Sequence, residues 1–184
     1  MKRLIDFVVS LVALFFFSPI FLLVSLCIFL QDYESIIFKQ VRVGKDGQLF
    51  KMYKFRSMVS NASETGPHFT AEKDKRITKI GAFLRKTSLD ELPQLLNVLK
   101  GDMSCVGPRP NVPQQKSEYS EKDWNARNTV KPGITGLAQA TDRSQASPEQ
   151  RLKLDLYYAN NATLLLDLKI ILLTFKQVFL RGGN

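Results

Sequence analysis

Residues 7–31 carry no charged side chain and are built mostly from Leu, Val, Ile and Phe. As one helix this run would be roughly 37 Å long, enough for a hydrocarbon core of about 30 Å. It is too long for a cleaved signal peptide, and no small-residue cleavage site follows it. Ser18-Pro19 stands at its centre, where proline removes a backbone donor and bends a helix. The serine hydroxyl can return a hydrogen bond to a freed carbonyl. Lys2 and Arg3 on one side and the basic remainder on the other both prefer the cytoplasmic side. Composition therefore leaves two topologies open: a spanning anchor, or a re-entrant helix that leaves on the face it entered.

The period changes after this run. Residues 35–43 and 48–58 are β-prone and joined by Gly44-Lys45-Asp46-Gly47, which predicts a hairpin. On its second strand Phe50, Met52, Lys54 and Arg56 share one face. Residues 60–75 are polar and predict a loop, and 77–86 predict a short basic helix containing Arg85. Ser147-Pro148-Glu149 predicts a helix start, with serine as N-cap and proline in the first turn. Residues 164–180 are again apolar but hold Asp167, Lys169 and Lys176. That is too much charge for a bilayer span, so the segment should pack on the core or lie in an interface.

The 184 residues are enough for one domain, or one domain and an appendage. With 26 Lys+Arg against 17 Asp+Glu, the net charge of +9 favours an anionic partner: nucleic acid, a bilayer surface or a phosphorylated substrate. Cys27 and Cys105 fit neither a metal site nor a disulfide framework, which points to a reducing compartment. The single histidine, His68, lies in a polar stretch. Acid-base or nucleophilic work therefore falls to carboxylates.

The densest chemistry lies in residues 88–110. Ser88-Leu89-Asp90-Glu91 is the pattern of a capping box, with Ser88 as N-cap and Glu91 at the third position. It is equally a pair of adjacent carboxylates whose side chains diverge and can hold different roles. A helix N-terminus there would attract phosphate, and Arg85, Lys86, Lys100 and Arg109 are cations close in sequence. Pro108-Arg109-Pro110 holds an arginine between two fixed φ angles, which lowers the entropy lost when its fork grips phosphate. Lys131-Pro132-Gly133-Ile134 predicts a type II turn, followed by an open backbone at Thr135-Gly136. Adjacent carboxylates cannot flank a sugar ring from opposite faces, so a two-carboxylate glycosidase is excluded. A membrane-tethered binder of lipid or nucleic acid is disfavoured because the basic residues are scattered rather than gathered in one stripe.

These pieces together resemble the bacterial sugar transferase family, the small monotopic phosphoglycosyl transferases, along almost the whole chain. The matching elements are Lys2-Arg3 with Asp6, Ser18-Pro19, Gln40-Val41-Arg42-Val43-Gly44 and Lys54-Phe55-Arg56-Ser57-Met58. They continue through Leu84-Arg85, Ser88 to Leu95, Asn97 to Ser104, Val106 to Pro110, Pro132 to Gly136 and Leu154-Asp155. The resemblance implies transfer of sugar-1-phosphate from a UDP-sugar to polyprenyl (undecaprenyl) phosphate with release of UMP. It implies Asp90 as a nucleophile that forms a covalent phosphosugar and Glu91 as the ligand of Mg²⁺. Lys54, Arg85, Pro108, Arg109, Pro110, Arg143 and Asp155 take positions for substrate binding. Ser18 and Pro19 take the break of a re-entrant membrane helix. One departure is Gln139 to Arg143, where Asp142 stands in place of a common glycine.

The expected fold is therefore α/β and mostly helical. Residues 1–31 form a re-entrant membrane helix and residues 32–184 a catalytic domain with interfacial helices and a small β-hairpin. The expected location is the cytoplasmic face of a bacterial inner membrane, with anionic lipid as a further partner and no nucleic acid.

Overall fold

The computed structural model describes residues 1–62, 66, 74–141 and 147–181. The fold is mostly helical. Helix α1 (Lys2–Asp32) leads into an antiparallel hairpin of β1 (Ile37–Val43) and β2 (Leu49–Phe55). Helices α2 (Lys79–Thr87) and α3 (Gln94–Lys100) follow, then β3 (Ser104–Val106), α4 (Glu121–Arg127), β4 (Gly133–Thr135), α5 (Leu137–Thr141), α6 (Pro148–Asn161) and α7 (Leu164–Arg181).

Helix α1 continues through Pro19. Proline at 19 leaves the Phe15 carbonyl without its helical donor, and Ser18 Oγ donates to that same oxygen at 2.7 Å. The serine thus repairs the defect that the proline makes. Only Asp6, Ser10, Val24 and Ile28 of α1 are buried, while Leu4, Leu11, Phe15, Phe16, Leu22 and Leu23 are open. An exposed apolar surface of this size marks a contact with a membrane or partner, and the helix is compatible with a membrane location.

Both ends of α1 are fastened to the rest of the molecule. At its start the Asp6 carboxylate accepts from Ser104 Oγ at 2.8 Å and from the Cys105 N–H at 3.0 Å. Lys2 Nζ lies 2.5 Å from Asp167 and donates to the Val106 carbonyl, and Arg3 donates to the carbonyls of Val98 and Leu99. At its end Asp32 pairs with the Arg56 guanidinium through both carboxylate oxygens. Between these anchors Val24 and Ile28 pack with Phe55 of β2 and Leu84 of α2. Burial of such side chains stabilises the contact by about 1.5–3 kcal/mol each.

The hairpin forms where the alternation predicts it, with Ile37 opposite Phe55 and Val43 opposite Leu49. Its turn uses two left-handed residues, Asp46 at φ 54° and Gly47 at φ 78°. Helix α3 is fixed to β2 by one side chain: the buried Asn97 accepts from the Tyr53 N–H and donates to the Lys51 carbonyl. Helix α6 starts on the predicted cap, with Ser147 Oγ accepting from the Gln150 N–H. Helix α7 buries Ile170 and exposes Leu165, Leu168, Leu172 and Phe175, so it both packs on the core and presents an apolar face.

Two local expectations fail. Gly133 does not take the positive φ that a type II turn requires; it opens β4, which pairs parallel to β3 with Ser104 opposite Gly133. The backbone around Gly136 is closed rather than open. A Cβ at Gly136 would lie 2.2 Å from the Gly107 carbonyl oxygen, and one at Gly107 would lie 2.2 Å from the Lys131 oxygen. These glycines allow two chain segments to touch.

The capping box also fails. Ser88 adopts a left-handed conformation at φ 57° that terminates α2, and its side chain makes no capping bond. Asp90 and Glu91 sit on a single 3₁₀ turn, Leu89–Glu91, and α3 begins only at Gln94, after Pro93. The acidic pair precedes the α-helix instead of opening it. Glu91 turns to cations rather than back to the Ser88 backbone.

Candidate active site

The 3₁₀ turn points its two carboxylates in different directions, as adjacent residues on a tight helix must. Glu91 Oε1 accepts from Lys54 Nζ at 2.7 Å and from Arg109 Nη2 at 3.2 Å. Asp90 is buried at 7 % exposure, and its Oδ2 stands 4.0 Å from the same Lys54 ammonium. One lysine of β2 therefore serves both acids but hydrogen-bonds only one.

This asymmetry sets their proton affinities. Burial pushes both carboxyls up; at Asp90 burial prevails over the Lys54 charge and the pKa lies above its usual value. At Glu91 the Lys54 and Arg109 cations overcome burial and hold the pKa down at about 2. Lys54 is itself lowered by burial, against the pull of Glu91. Paired groups with environments that push them apart are suited to separate chemical roles. Asp90 is the more basic and less encumbered carboxylate. Glu91 is a permanently ionised one.

Arg109 is the most open of these side chains, 42 % exposed, yet its backbone is held from every side. The Pro108 carbonyl accepts from the Gly133 N–H at 3.0 Å, and the Arg109 carbonyl from Arg127 Nη2 at 2.5 Å. The Pro110 carbonyl accepts from Arg42 Nη1 at 2.9 Å and the Asn111 carbonyl from the Val43 N–H at 2.9 Å. Four consecutive carbonyls are thus tied to β4, α4 and β1. The two prolines fix φ, and these bonds fix where the segment lies.

A cavity of about 480 Å³ opens beside this cluster. Glu91, Arg109, Arg151 and Asp155 line it, and Ala13 and Phe17, from the turn of α1 before Ser18, add apolar lining. Asp90 stands off the lining, next to Lys54. Asp155 is paired with the buried Arg127 at 2.9 Å, so it both faces the cavity and braces the arginine that grips Arg109. Arg85 donates to Ser57 Oγ at 2.9 Å and lies within the electrostatic reach of Asp90.

Lys54, Asp90, Glu91 and Arg109 are therefore brought together as the sequence predicts, with Arg85 within electrostatic reach of Asp90 and Asp155 lining the same cavity as Glu91 and Arg109. Arg143 falls outside the described residues. Lys100 does not join the cluster: it bonds the Tyr53 hydroxyl at 2.6 Å, from the strand face opposite Lys54. Sequence reading gave no role to Arg127, whose signal is an arginine next to Trp124 in a short helix, indistinguishable from a surface charge. Cys105 sits on β3, and burial, with Asp6 beside it, pushes its thiol up to about 12. It is inert as a nucleophile at neutral pH.

Comparison with known proteins identifies the family. The sequence matches the bacterial sugar transferase family over residues 1–181. It is 43 % identical over 183 residues to the sugar transferase EpsL of Bacillus subtilis (strain 168), covering all of this chain and 89 % of that one. It is 43 % identical over 187 residues to the UDP-glucose:undecaprenyl-phosphate glucose-1-phosphate transferase of Klebsiella pneumoniae, covering 97 % of this chain and 40 % of that protein. It is 40 % identical over 198 residues to the undecaprenyl-phosphate galactose phosphotransferase of Salmonella typhimurium, with 100 % and 41 % covered. The chain spans most of the first relative and about two-fifths of the other two. It belongs to the bacterial sugar transferase family.

Proposed function

We propose that this chain transfers sugar-1-phosphate from a UDP-sugar to polyprenyl phosphate and releases UMP. The observation that carries the reading is the opposed treatment of two adjacent carboxylates, one left basic and one clamped by cations. An Asp90 oxygen attacks the sugar-bearing phosphorus of the donor; the bond from that phosphorus to the bridging oxygen breaks, and UMP departs with the electron pair. An oxygen of polyprenyl phosphate then attacks the same phosphorus, and Asp90 is released as a carboxylate. Two displacements on one nucleophile let a soluble donor and a lipid acceptor use the site in turn.

A carboxylate approaching a pyrophosphate meets repulsion, and Lys54 and Arg109 offset it. Lys54 orients Glu91 and screens Asp90, and Arg109 presents its fork from a fixed backbone. Both cation contacts fall on Glu91 Oε1, and the Glu91 carboxylate is the group that would hold Mg²⁺. Among the described residues no group of three acidic, histidine or cysteine ligands is gathered. That donor set fits Mg²⁺, which commonly takes one or two carboxylates and completes its shell with phosphate and water. When bound it would neutralise charge on the leaving pyrophosphate.

The membrane part of the proposal is that α1 is re-entrant, with residues 32–184 on the cytoplasmic face of the inner membrane. Its support is that both ends of α1 bind one globular body, through Lys2, Arg3 and Asp6 at the start and Asp32 at the end. The cavity touches the turn before Ser18, which supports a site that a lipid-borne acceptor can reach along α1. The net charge of +9 favours anionic lipid at that surface.

The test is UMP release from UDP-sugars in the presence of polyprenyl phosphate. Wild type should release UMP, Asp90→Asn should not, and a phosphosugar adduct should map to Asp90 by mass spectrometry. Undiminished release from folded Asp90→Asn would sink the mechanism.

A further inference from the structure

Arg42 is a half-buried guanidinium on β1, and the mechanism above gives it no role. Its Nη1 donates to the Pro110 carbonyl at 2.9 Å. Its Nε and Nη2 both donate to Gln40 Oε1, at 3.1 and 2.6 Å. The fork that commonly meets a carboxylate here meets a neutral amide oxygen. Among the described residues no carboxylate forms an ion pair with Arg42. Arg42 and Arg109 border one narrow cleft, and the Arg109 charge acts on Arg42.

We propose that Arg42 is a third cation of the donor-phosphate site, left uncompensated by its pairing with Gln40, so that its charge is added to those of Lys54 and Arg109. The proposal rests on the phosphoryl-transfer reading of the site. Hydrogen bonding alone would be served as well by glutamate at position 40, and charge-assisted bonds to a guanidinium are stronger. A carboxylate there would, however, cancel the field that an incoming pyrophosphate feels. An amide holds the arginine in place and leaves its charge to act on the site.

The electrostatics are consistent with this. Burial lowers the Arg42 pKa to about 10, with the Arg109 charge acting in the same direction and Glu91 opposing. Arg42 is still a full cation at neutral pH. Lys54 and Arg109 contact Glu91 and Arg42 lies within its electrostatic reach, so these three cations outnumber Asp90 and Glu91 before any ligand arrives. Arg42 acts as a positioning residue through the Pro110 carbonyl and as a source of potential at the site. Its guanidinium is placed behind the Pro108–Pro110 segment and reaches the donor through Arg109.

The two roles separate under substitution. Gln40→Glu keeps the acceptor and cancels the charge. If Arg42 only braces the loop, this variant should bind UDP as wild type does. If its charge serves the site, UDP affinity of the full chain in detergent should fall by about tenfold at low salt. That loss should shrink as ionic strength rises toward 1 M, with thermal stability equal to wild type or higher. A companion pair guards against misfolding: Arg42→Lys, which keeps the charge, should retain more UDP affinity than Arg42→Gln. Folded Gln40→Glu binding UDP within twofold of wild type would overturn the proposal, as would equal losses in Arg42→Lys and Arg42→Gln. Failure of wild type to bind UDP or release UMP would instead overturn the reading on which the proposal rests.

Discussion

Arg127 grips Arg109 by its backbone: a guanidinium only 3 % exposed donates to the carbonyl of the residue whose own guanidinium faces the cavity. The same Arg127 is paired with Asp155 at 2.9 Å. Removing one partner of a buried pair leaves an uncompensated charge, at a cost of about 3–5 kcal/mol. Arg127→Met should lower stability by that amount in denaturant titrations and raise KM for the donor, because Arg109 loses its brace. Asp155→Asn, which keeps an acceptor for Arg127, should lose less.

The opposed pKa values give a pH prediction. As the proposed nucleophile, Asp90 would have to be ionised to attack, and its pKa is raised, so the acid limb of the pH–rate profile should lie above the usual carboxylate range. Lys54 favours the ionised form of Asp90, and Lys54→Gln should move that limb to higher pH while lowering kcat. The two acids act on stability with opposite signs. Glu91, depressed to about 2, stabilises the fold above its unfolded value of 4.5, and this is lost as pH falls through the folded value. Asp90, raised above 3.8, destabilises the fold as pH rises. Asp90→Asn should therefore raise the melting temperature at pH 7 while abolishing transfer, which separates loss of the proposed nucleophile from loss of the fold.

Glycine substitutions test how the Pro108–Pro110 segment is seated. A Cβ at Gly133 would come within 2.1 Å of the Gly107 nitrogen, a backbone atom that cannot yield alone. Gly133→Ala should cost about 3 kcal/mol or more and loosen the arginine segment with it. Gly47→Ala has open space around it and only a φ of +78° to contend with, so about 1–2 kcal/mol is expected. Thermal unfolding of both variants, with donor KM measured alongside, checks the contrast.

Topology can be read by labelling. With Cys27 and Cys105 replaced by alanine, a cysteine added ahead of Met1 and one at Lys39 should both react with an impermeant thiol reagent in inside-out vesicles. Neither should react in intact spheroplasts. Reaction of the two on opposite sides would make α1 a spanning helix.

The parts of this architecture that the sequence announced are those governed by local rules. The uncharged run of α1, the alternation of the hairpin and the Ser147 cap each need only near neighbours. Even the Ser18 hydroxyl's return to the Phe15 carbonyl follows from the place of Pro19. What stayed hidden depends on partners far along the chain. Ser88 reads as an N-cap because its spacing to Glu91 is right, yet Lys54, 37 residues away from Glu91, claims that carboxylate. Arg127 and Asp155 lie 28 residues apart on short helices, and neither shows in its own segment that it is buried. Strands of three residues, such as β3 and β4, are too short to carry a period. The glycines beside them read as turn formers because closeness of two backbones leaves no local mark.

The ion pair between Lys2 and Asp167 joins residues 165 positions apart. Lys2, Arg3 and Asp6 are synthesised well before their partners on α3, β3 and α7. Until those partners are made the apolar helix exists with its polar end unanswered, and α7 is the last of the three to answer it. A chain cut short before α7 would keep Lys54, Asp90, Glu91 and Arg109 in its sequence and still lack the Lys2–Asp167 clasp. The order of assembly is thus written into which residues close the loop, and the C-terminal helix acts as the latch for the first turn of the N-terminal one.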